Sequence, residues 1–407
     1  MNAIPILAWA RTPVAPVGGV LAACQPHDLA APLVARMLAD AGLPPEAVDA
    51  VVLGNALGAG GNPARMLALA AGLPEGIPAV TLDSQCCAGL DAVTHACGLL
   101  ALGQADVVVA GGAEAWSRAP LRMHRPLRAE EAPVPYDRPP FTPWPARDPD
   151  MLLAALDGAR RLGLTRHAQD AYAMASHARS VAARAAMAHE IVPLRGLAHD
   201  AYPRLLSAAR VARMPAVASG QSVDGQDCSL STVAVSPKAD GAALLLLATP
   251  SACARWGVRP RAQWRGSVSV GGAPESPMLC AVDVARAAQQ RCGWDWAALE
   301  ALELHDAFAA QGLAFCNALG LPLGAINRGG GGLARGHPIG ASGAIALVRV
   351  LARMAQRQGA DRIDRTDRTD RTDRTDRTDR TDRTLRGMAC IAGAGGLGAA
   401  TWVEIPE

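Results

Sequence analysis

Lysine is nearly absent from this chain of 407 residues: Lys238 is the only one, and arginine carries almost all the positive charge. Lys and Arg together number 39 against 37 Asp and Glu, so the formal charge is only +2. A balance this even excludes nonspecific nucleic-acid binding and leaves room only for a local basic rim that holds a small phosphorylated ligand. No uninterrupted apolar run reaches the ~18 residues a membrane helix needs. The opening MNAIPILAWARTP has no basic stretch ahead of its apolar segment, which favours a strand over a leader peptide. The expectation is a cytoplasmic protein with no membrane partner. No Cys-x-x-Cys pair occurs among the 10 cysteines, so they read as reduced, mostly buried thiols rather than a disulfide framework.

Half of the residues are hydrophobic and 19% are charged, the composition of a packed globular protein long enough for two or three units. Strand and helix patterns alternate from the start, which suggests a parallel sheet. AIPILAW reads as a strand, HDLAAPLVARMLADAG as a helix with Leu29, Leu33 and Met37 on one face and Asp28 as its cap, and VDAVVLG as a buried strand. The last third repeats this order. ALEALELHDAF (298 to 308) aligns with AVDAVVLGNAL (47 to 57) at an offset of 251, and the same offset sets His337 on Cys86 and Gly340 on Gly89. Two separate segments sharing one offset indicate an internal duplication. Between the halves, residues 117 to 236 are Pro- and Arg-rich and read as an insertion over the sheet ends. From 364 to 384 the triplet Asp-Arg-Thr repeats without an apolar residue, after a helix expected to end near Gln358, and reads as a disordered loop.

Three residues stand out chemically. Cys86, in DSQCCAGL, precedes a helix of small residues, whose dipole favours the thiolate and lowers the thiol pKa. His337, in GGGGLARGHPIGASG, precedes an equivalent helix, framed by glycines that permit close backbone approach. His305 ends an apolar strand, where a parallel sheet delivers side chains to its active edge.

With ARTP, GNPAR, the Cys86 segment, DVVVAGGAE, ADGAA, HDAFAAQ and GHPIGASG in order along nearly the whole chain, the sequence resembles the thiolase family. The resemblance implies an α/β thiolase fold, two duplicated βαβ-rich halves in a five-layered αβαβα core. Its expected division is an N-terminal half of residues 1–116 and 237–270, a loop domain of 117–236 over coenzyme A, and a C-terminal half of 271–407. It further implies acyl-CoA and CoA as substrates, with no metal and no permanently bound cofactor, in a homodimer or homotetramer. Cys86 corresponds to the acylated nucleophile, and His337 to the histidine that activates it and contributes to an oxyanion hole. Ser236 corresponds to a serine beside the pantetheine arm and Met151 to a methionine of the acyl pocket. The implied activity makes or cleaves a 3-ketoacyl-CoA through an acyl-cysteine.

Two departures qualify that implication. The family's second acid–base group is a cysteine in a terminal Cys-x-Gly-Gly-Gly motif, where this chain has Ala392; in sterol-carrier-type thiolases it follows the His-Asp pair, where this chain has Ala307. Cys390 lies two residues from Ala392, on the same strand face about 6.6 Å away, and takes the role only if the Gly-rich stretch bulges. Without it, Cys86, His305 and His337 resemble the Cys-His-His set of decarboxylating condensing enzymes. An inactive acyl-CoA-binding scaffold is the third alternative.

Overall fold

The computed structural model describes residues 3–58, 60–369 and 384–406, apart from the side chains of 360–369. The apolar runs become nine main strands: β1 (Ile4–Arg11), β2 (Ala50–Gly54), β3 (Ala79–Leu82), β4 (Val107–Ala115), β5 (Ala239–Ala248), β6 (Ala262–Gly271), β7 (Ala301–His305), β8 (Leu385–Gly393) and β9 (Leu397–Ile405). Their order is β7-β8-β9-β6-β1-β5-β4-β2-β3. Apart from the edge strand β3, this order is a palindrome about the β6–β1 pair. The offset of 251 is met at both ends of β2 and β7, so the repeat seen in the sequence is a repeat of structure. β6, which a boundary at residue 270 leaves with the first half, occupies the position that mirrors β1 and pairs with β9 from Gln263 to Gly271.

The sheet is mixed rather than parallel. β2 is parallel to β3 and β4, and β7 to β8, while the other main pairs are antiparallel. The reason is connectivity. β5 follows β4 through the insertion and not through a crossover helix, so it starts where β4 stops, with Asp240 opposite Ala115. The insertion is thereby anchored above the end of the sheet where β2 also finishes.

Eight helices matter for the site: α1 (Pro26–Ala41), α2 (Pro63–Ala70), α3 (Ala88–Ala101), α4 (Met151–Arg161), α5 (Arg166–Ala182), α6 (Cys280–Cys292), α7 (Ala309–Leu319) and α8 (Ser342–Thr369). Asp28 is the third residue of α1, not its cap, and its carboxylate accepts the N–H of Gln25. Alternate strand residues feed different cores. Val52, Leu245 and Ile391 join Leu90, Leu347 and Leu351 of α3 and α8 in a central layer, whereas Val51 and Leu244 face Leu29 and Leu33 of α1, and Leu304 and Met388 face Val284 of α6 and Phe315 of α7. The two halves of the sheet, joined at the β6–β1 pair, thus face each other across the α3–α8 layer, and the order is helix, sheet, helix, sheet, helix. Each fully buried Leu or Val contributes about 1.5–3 kcal/mol, and the shared central layer joins the two halves into one core.

α8 runs to Thr369, so residues 364–369 continue it instead of starting a loop; 370–383, where a disordered loop was expected, lie outside the described residues. The segment Ile339–Gly359, which runs from the turn before α8 into that helix, is long and apolar enough to cross a membrane by composition, yet 78% of that window is buried inside the protein, as in a core helix. A buried ion network ties the insertion to this core. Arg11 donates to Glu190 at 2.6 Å and to Asp200 at 2.7 Å, and Arg349 of α8 reaches the other oxygen of Glu190 at 2.7 Å.

Glycines set how closely the halves approach. A Cβ at Gly89 would stand 2.8 Å from the carbonyl oxygen of Gly340, and one at Gly112 would overlap the same carbonyl. Gly112→Ala therefore overpacks the centre, and chemical denaturation is expected to show a loss of about 1–3 kcal/mol.

Candidate active site

The turn ahead of α3 is strained. Gln85 has φ +57°, a left-handed conformation uncommon for a residue with a side chain, and its N–H is held by Asp83 at 2.9 Å. This turn presents Cys86, half-buried, at the start of the helix. The matching turn of the second half presents His337, and Gly336 at φ +112° passes so near Ala239 that a Cβ would lie 2.8 Å from that side chain. The His337 N–H donates to Pro237 at 2.8 Å and its carbonyl accepts Trp116 Nε1 at 3.0 Å, so the backbone on both sides of the ring is fixed.

Across the pseudo-dyad, Cys86 Sγ lies 3.2 Å from His337 Nε2. The far ring nitrogen, Nδ1, is 2.7 Å from Ser342 Oγ, and Ser342 gives its one hydroxyl hydrogen to the Pro338 carbonyl at 3.0 Å. Oγ must then accept from Nδ1–H, which leaves the Nε2 lone pair facing the thiol. This is the tautomer that can take a proton from sulfur.

The sequence suggested a thiol with a lowered pKa; the structure gives the opposite. Burial pushes Cys86 up to about 11, although the N–H groups of Ala394 and of Cys86 itself hydrogen-bond the sulfur and pull the other way. Burial also holds His337 down at about 4. The resting pair is therefore a neutral thiol beside a neutral imidazole. In this arrangement sulfur can become nucleophilic by handing its proton to Nε2.

His305, buried at the end of β7, lies against His337 with ring centroids 4.3 Å apart. Burial, then His337 and Arg335, keep it neutral well below the usual histidine range, and its Nε2 has no hydrogen-bond partner among the described residues. Gly332 passes so close that a Cβ there would meet the His305 ring at 2.6 Å. Ser236 stands behind this loop, donating its Oγ–H to Gly332 at 2.7 Å and its N–H to Ala307 at 2.8 Å.

The structure does not bring every expected residue to the sulfur. Cys390 pairs in unbroken register with Ala400, and Ala392 with Gly398, so no bulge moves the thiol. It sits fully buried in the outer layer with Met388 and Leu304, its pKa raised by burial, while Cys86 packs against the central layer. Met151 opens α4 in the insertion and takes no part in the hydrogen bonds around Cys86. The sequence reading missed Ser342, although it lies five residues beyond His337 in the same motif. It also missed Glu114, whose buried carboxylate accepts from Asn55 Nδ2 at 2.7 Å and from the N–H groups of Ala56 and Gly340 at 2.8 and 3.0 Å. Burial raises its pKa to about 7. It fastens the end of β2 to the His337 turn.

A thiol and an oriented imidazole, converging from duplicated βα turns beneath an inserted cap, define a nucleophilic acyl-transfer site. The comparisons with known proteins agree. Residues 4–251 match the thiolase N-terminal domain and 258–363 the thiolase C-terminal domain. The putative acetyl-CoA C-acetyltransferase VraB of Staphylococcus haemolyticus is 35% identical over 85% of this chain and 91% of its own length. An acetyl-CoA acetyltransferase of Pseudomonas aeruginosa is 35% identical over 88% and 94%. The crystal structure of the Bacillus anthracis acetyl-CoA acetyltransferase superimposes with a TM-score of 0.83 at 28% identity, covering 100% of this chain and 99% of that one. The chain belongs to the thiolase family, and with it to the acyl-CoA acyltransferases.

Ser342→Ala frees His337 to adopt the other tautomer. Acylation of Cys86 by acetyl-CoA, followed by rapid-quench mass spectrometry, is expected to slow by tenfold or more, within the ~10²–10⁴ a positioned base contributes, with the folded structure retained by circular dichroism. In the parent enzyme, alkylation of Cys86 by iodoacetamide should climb steadily toward alkaline pH. An ion-paired thiolate would instead give a plateau at low pH.

Proposed function

We propose that this enzyme makes or cleaves a 3-ketoacyl-CoA through an acyl-Cys86 intermediate, with His337 as the base that activates the thiol and His305 as the second acid–base group. The 3.2 Å contact between Cys86 Sγ and His337 Nε2 carries the reading. As sulfur attacks the thioester carbonyl its proton passes to Nε2, and the same proton leaves on the sulfur of departing CoA. The N–H groups of Cys86 and Ala394, already aimed at the sulfur, are the donors within reach of the oxygen that becomes negative; each such donor is worth roughly 3–4 kcal/mol on removal.

In the synthetic direction the acyl-Cys86 is attacked by the α-carbon of a second acetyl-CoA. A base must take the α-proton as Cys86 is released as a thiolate; that same proton, passed from the base through His337 Nε2, restores the thiol and leaves both groups neutral, because the earlier proton of Cys86 departed with CoA. The residues about the sulfur narrow the choice of base. Ala307 and Ala392 carry no proton, Cys390 is in the outer layer, and Glu114 is occupied by Asn55, Ala56 and Gly340. Among the described residues, His305 Nε2 is a buried ring nitrogen without a hydrogen-bond partner. Cleavage runs the same steps backwards, with CoA attacking the acyl-cysteine.

CoA is the substrate and product of this cycle, with no permanently bound cofactor. Ser236, and Met151 at the mouth of α4, are read as lining the pantetheine and acyl ends, with residues 117–236 as the covering domain between the two thiolase halves. The exposed apolar Met66 and Leu69 of α2, beside Val80 on edge strand β3, support a homodimer or homotetramer. The charge balance favours no nucleic-acid partner, and we place the protein in the cytoplasm.

Purified enzyme given CoA and acetoacetyl-CoA should consume the ketoacyl thioester, and an acetyl adduct should appear by intact mass and vanish in Cys86→Ala. His305→Ala is expected to lower turnover by roughly 10²–10⁴ while the acetyl adduct still forms, and Cys390→Ala to leave turnover within about twofold, as a core change of one small group away from the chemistry. Loss of turnover in Cys390→Ala with His305→Ala active would reverse the assignment of the second group.

A further inference from the structure

The turn whose Ala394 N–H favours the anion of Cys86 lies against the nucleophile segment, a Cβ at the preceding Gly393 standing 3.2 Å from Cys87 Sγ, and it is itself gripped from outside. Residues 394–396 join β8 to β9, and Gly395 and Gly396 have φ +77° and +81°, a left-handed backbone that glycine adopts without steric cost. On one side the Gly272 N–H donates to the Gly396 carbonyl at 2.7 Å. On the other side lies Phe141, whose carbonyl oxygen would stand 3.1 Å from a Cβ at Gly395.

Phe141 belongs to a small knot in the insertion. Asp148 accepts both Arg138 guanidinium nitrogens, at 3.0 and 2.9 Å, and also the Phe141 N–H at 3.2 Å. Arg138 lies over the Phe141 ring with Cζ 5.2 Å from its centroid. The same loop is tied to the segment after Gly272 by Arg147, which donates to Glu275 at 2.9 Å. Loop and segment thus enclose the turn from two sides.

We propose that Asp148 is a positioning residue for acyl transfer, acting through Arg138 and Phe141 to press the 394–396 turn into place and hold the Ala394 N–H on the sulfur of Cys86. Neither Asp148 nor Arg138 needs to touch substrate. The bidentate ion pair fixes Phe141, the Phe141 carbonyl limits where Gly395 can go, and the neighbouring N–H keeps its aim. The insertion, read above as a cap for coenzyme A, is on this view also part of the anion-stabilising apparatus. The proposal rests on Cys86 being the acylated nucleophile.

The test uses the full-length enzyme with Asp148→Asn and Arg138→Met, and Arg138→Lys as the conservative variant. For the first two, kcat in acetoacetyl-CoA thiolysis is expected to fall roughly tenfold, less than the hundredfold or more that follows outright removal of an oxyanion donor, with KM for CoA little changed. The pH midpoint of Cys86 alkylation by iodoacetamide should rise by about one unit, the worth of one hydrogen bond to a charged group. Arg138→Lys should recover most of both quantities. An unchanged alkylation midpoint in Asp148→Asn and Arg138→Met overturns the proposal even if turnover falls, because a merely structural loop would lower activity without touching the thiol. Absence of an acetyl adduct at Cys86 in the parent enzyme would instead defeat the reading of the nucleophile, whatever the variants show.

Discussion

The structure depends on one approach: two βα turns, 251 residues apart in the chain, meet closely enough for a sulfur to face an imidazole nitrogen at 3.2 Å. Nothing in either half fixes that distance alone. It is set where α3 and α8 cross in the central layer, with Gly89 against the Gly340 backbone and Gly112 beneath it. Side chains at these positions would push the helices apart and carry Cys86 and His337 with them. The glycines are therefore as much a part of the site as the groups that react.

Burial then decides the chemistry. A thiol in water beside a helix start would be partly ionised, but here desolvation outweighs the N–H groups that favour the anion, and the same desolvation keeps both histidines neutral. The pair stores no charge at rest. Charge develops only when the proton moves, inside a region where main-chain donors are already fixed. Glu114 and Ser342 serve this order indirectly, one pinning the His337 turn and the other selecting its tautomer.

Legibility in the sequence followed how local each signal was. Cys86, His337 and His305 were legible because glycine-rich turns and an offset repeated in two places mark them, and the structure gathers all three. Cys390 could serve only through a bulge, which sequence does not reveal, and the unbroken pairing of Cys390 with Ala400 and of Ala392 with Gly398 shows that there is none. Ser342 and Glu114 gave no signal of their own. A serine in a small-residue helix and a glutamate ending an apolar strand become meaningful only through partners brought from elsewhere, such as Asn55 and Gly340. The thiol's pKa was misjudged for a similar reason, since a helix start is visible in sequence and the depth of burial is not.

By itself the amino-acid order determined the strands and helices, the duplication and the turns that carry Cys86, His305 and His337, since these rest on periodicity and on turn residues that act over a few positions. Tertiary structure alone decided that the sheet is mixed, that β6 stands beside β1, that the thiol rests protonated, and which nitrogen of His337 faces it. Those outcomes come from long-range packing and from the exclusion of water, and both are properties of the space between segments that the chain brings together only when folded.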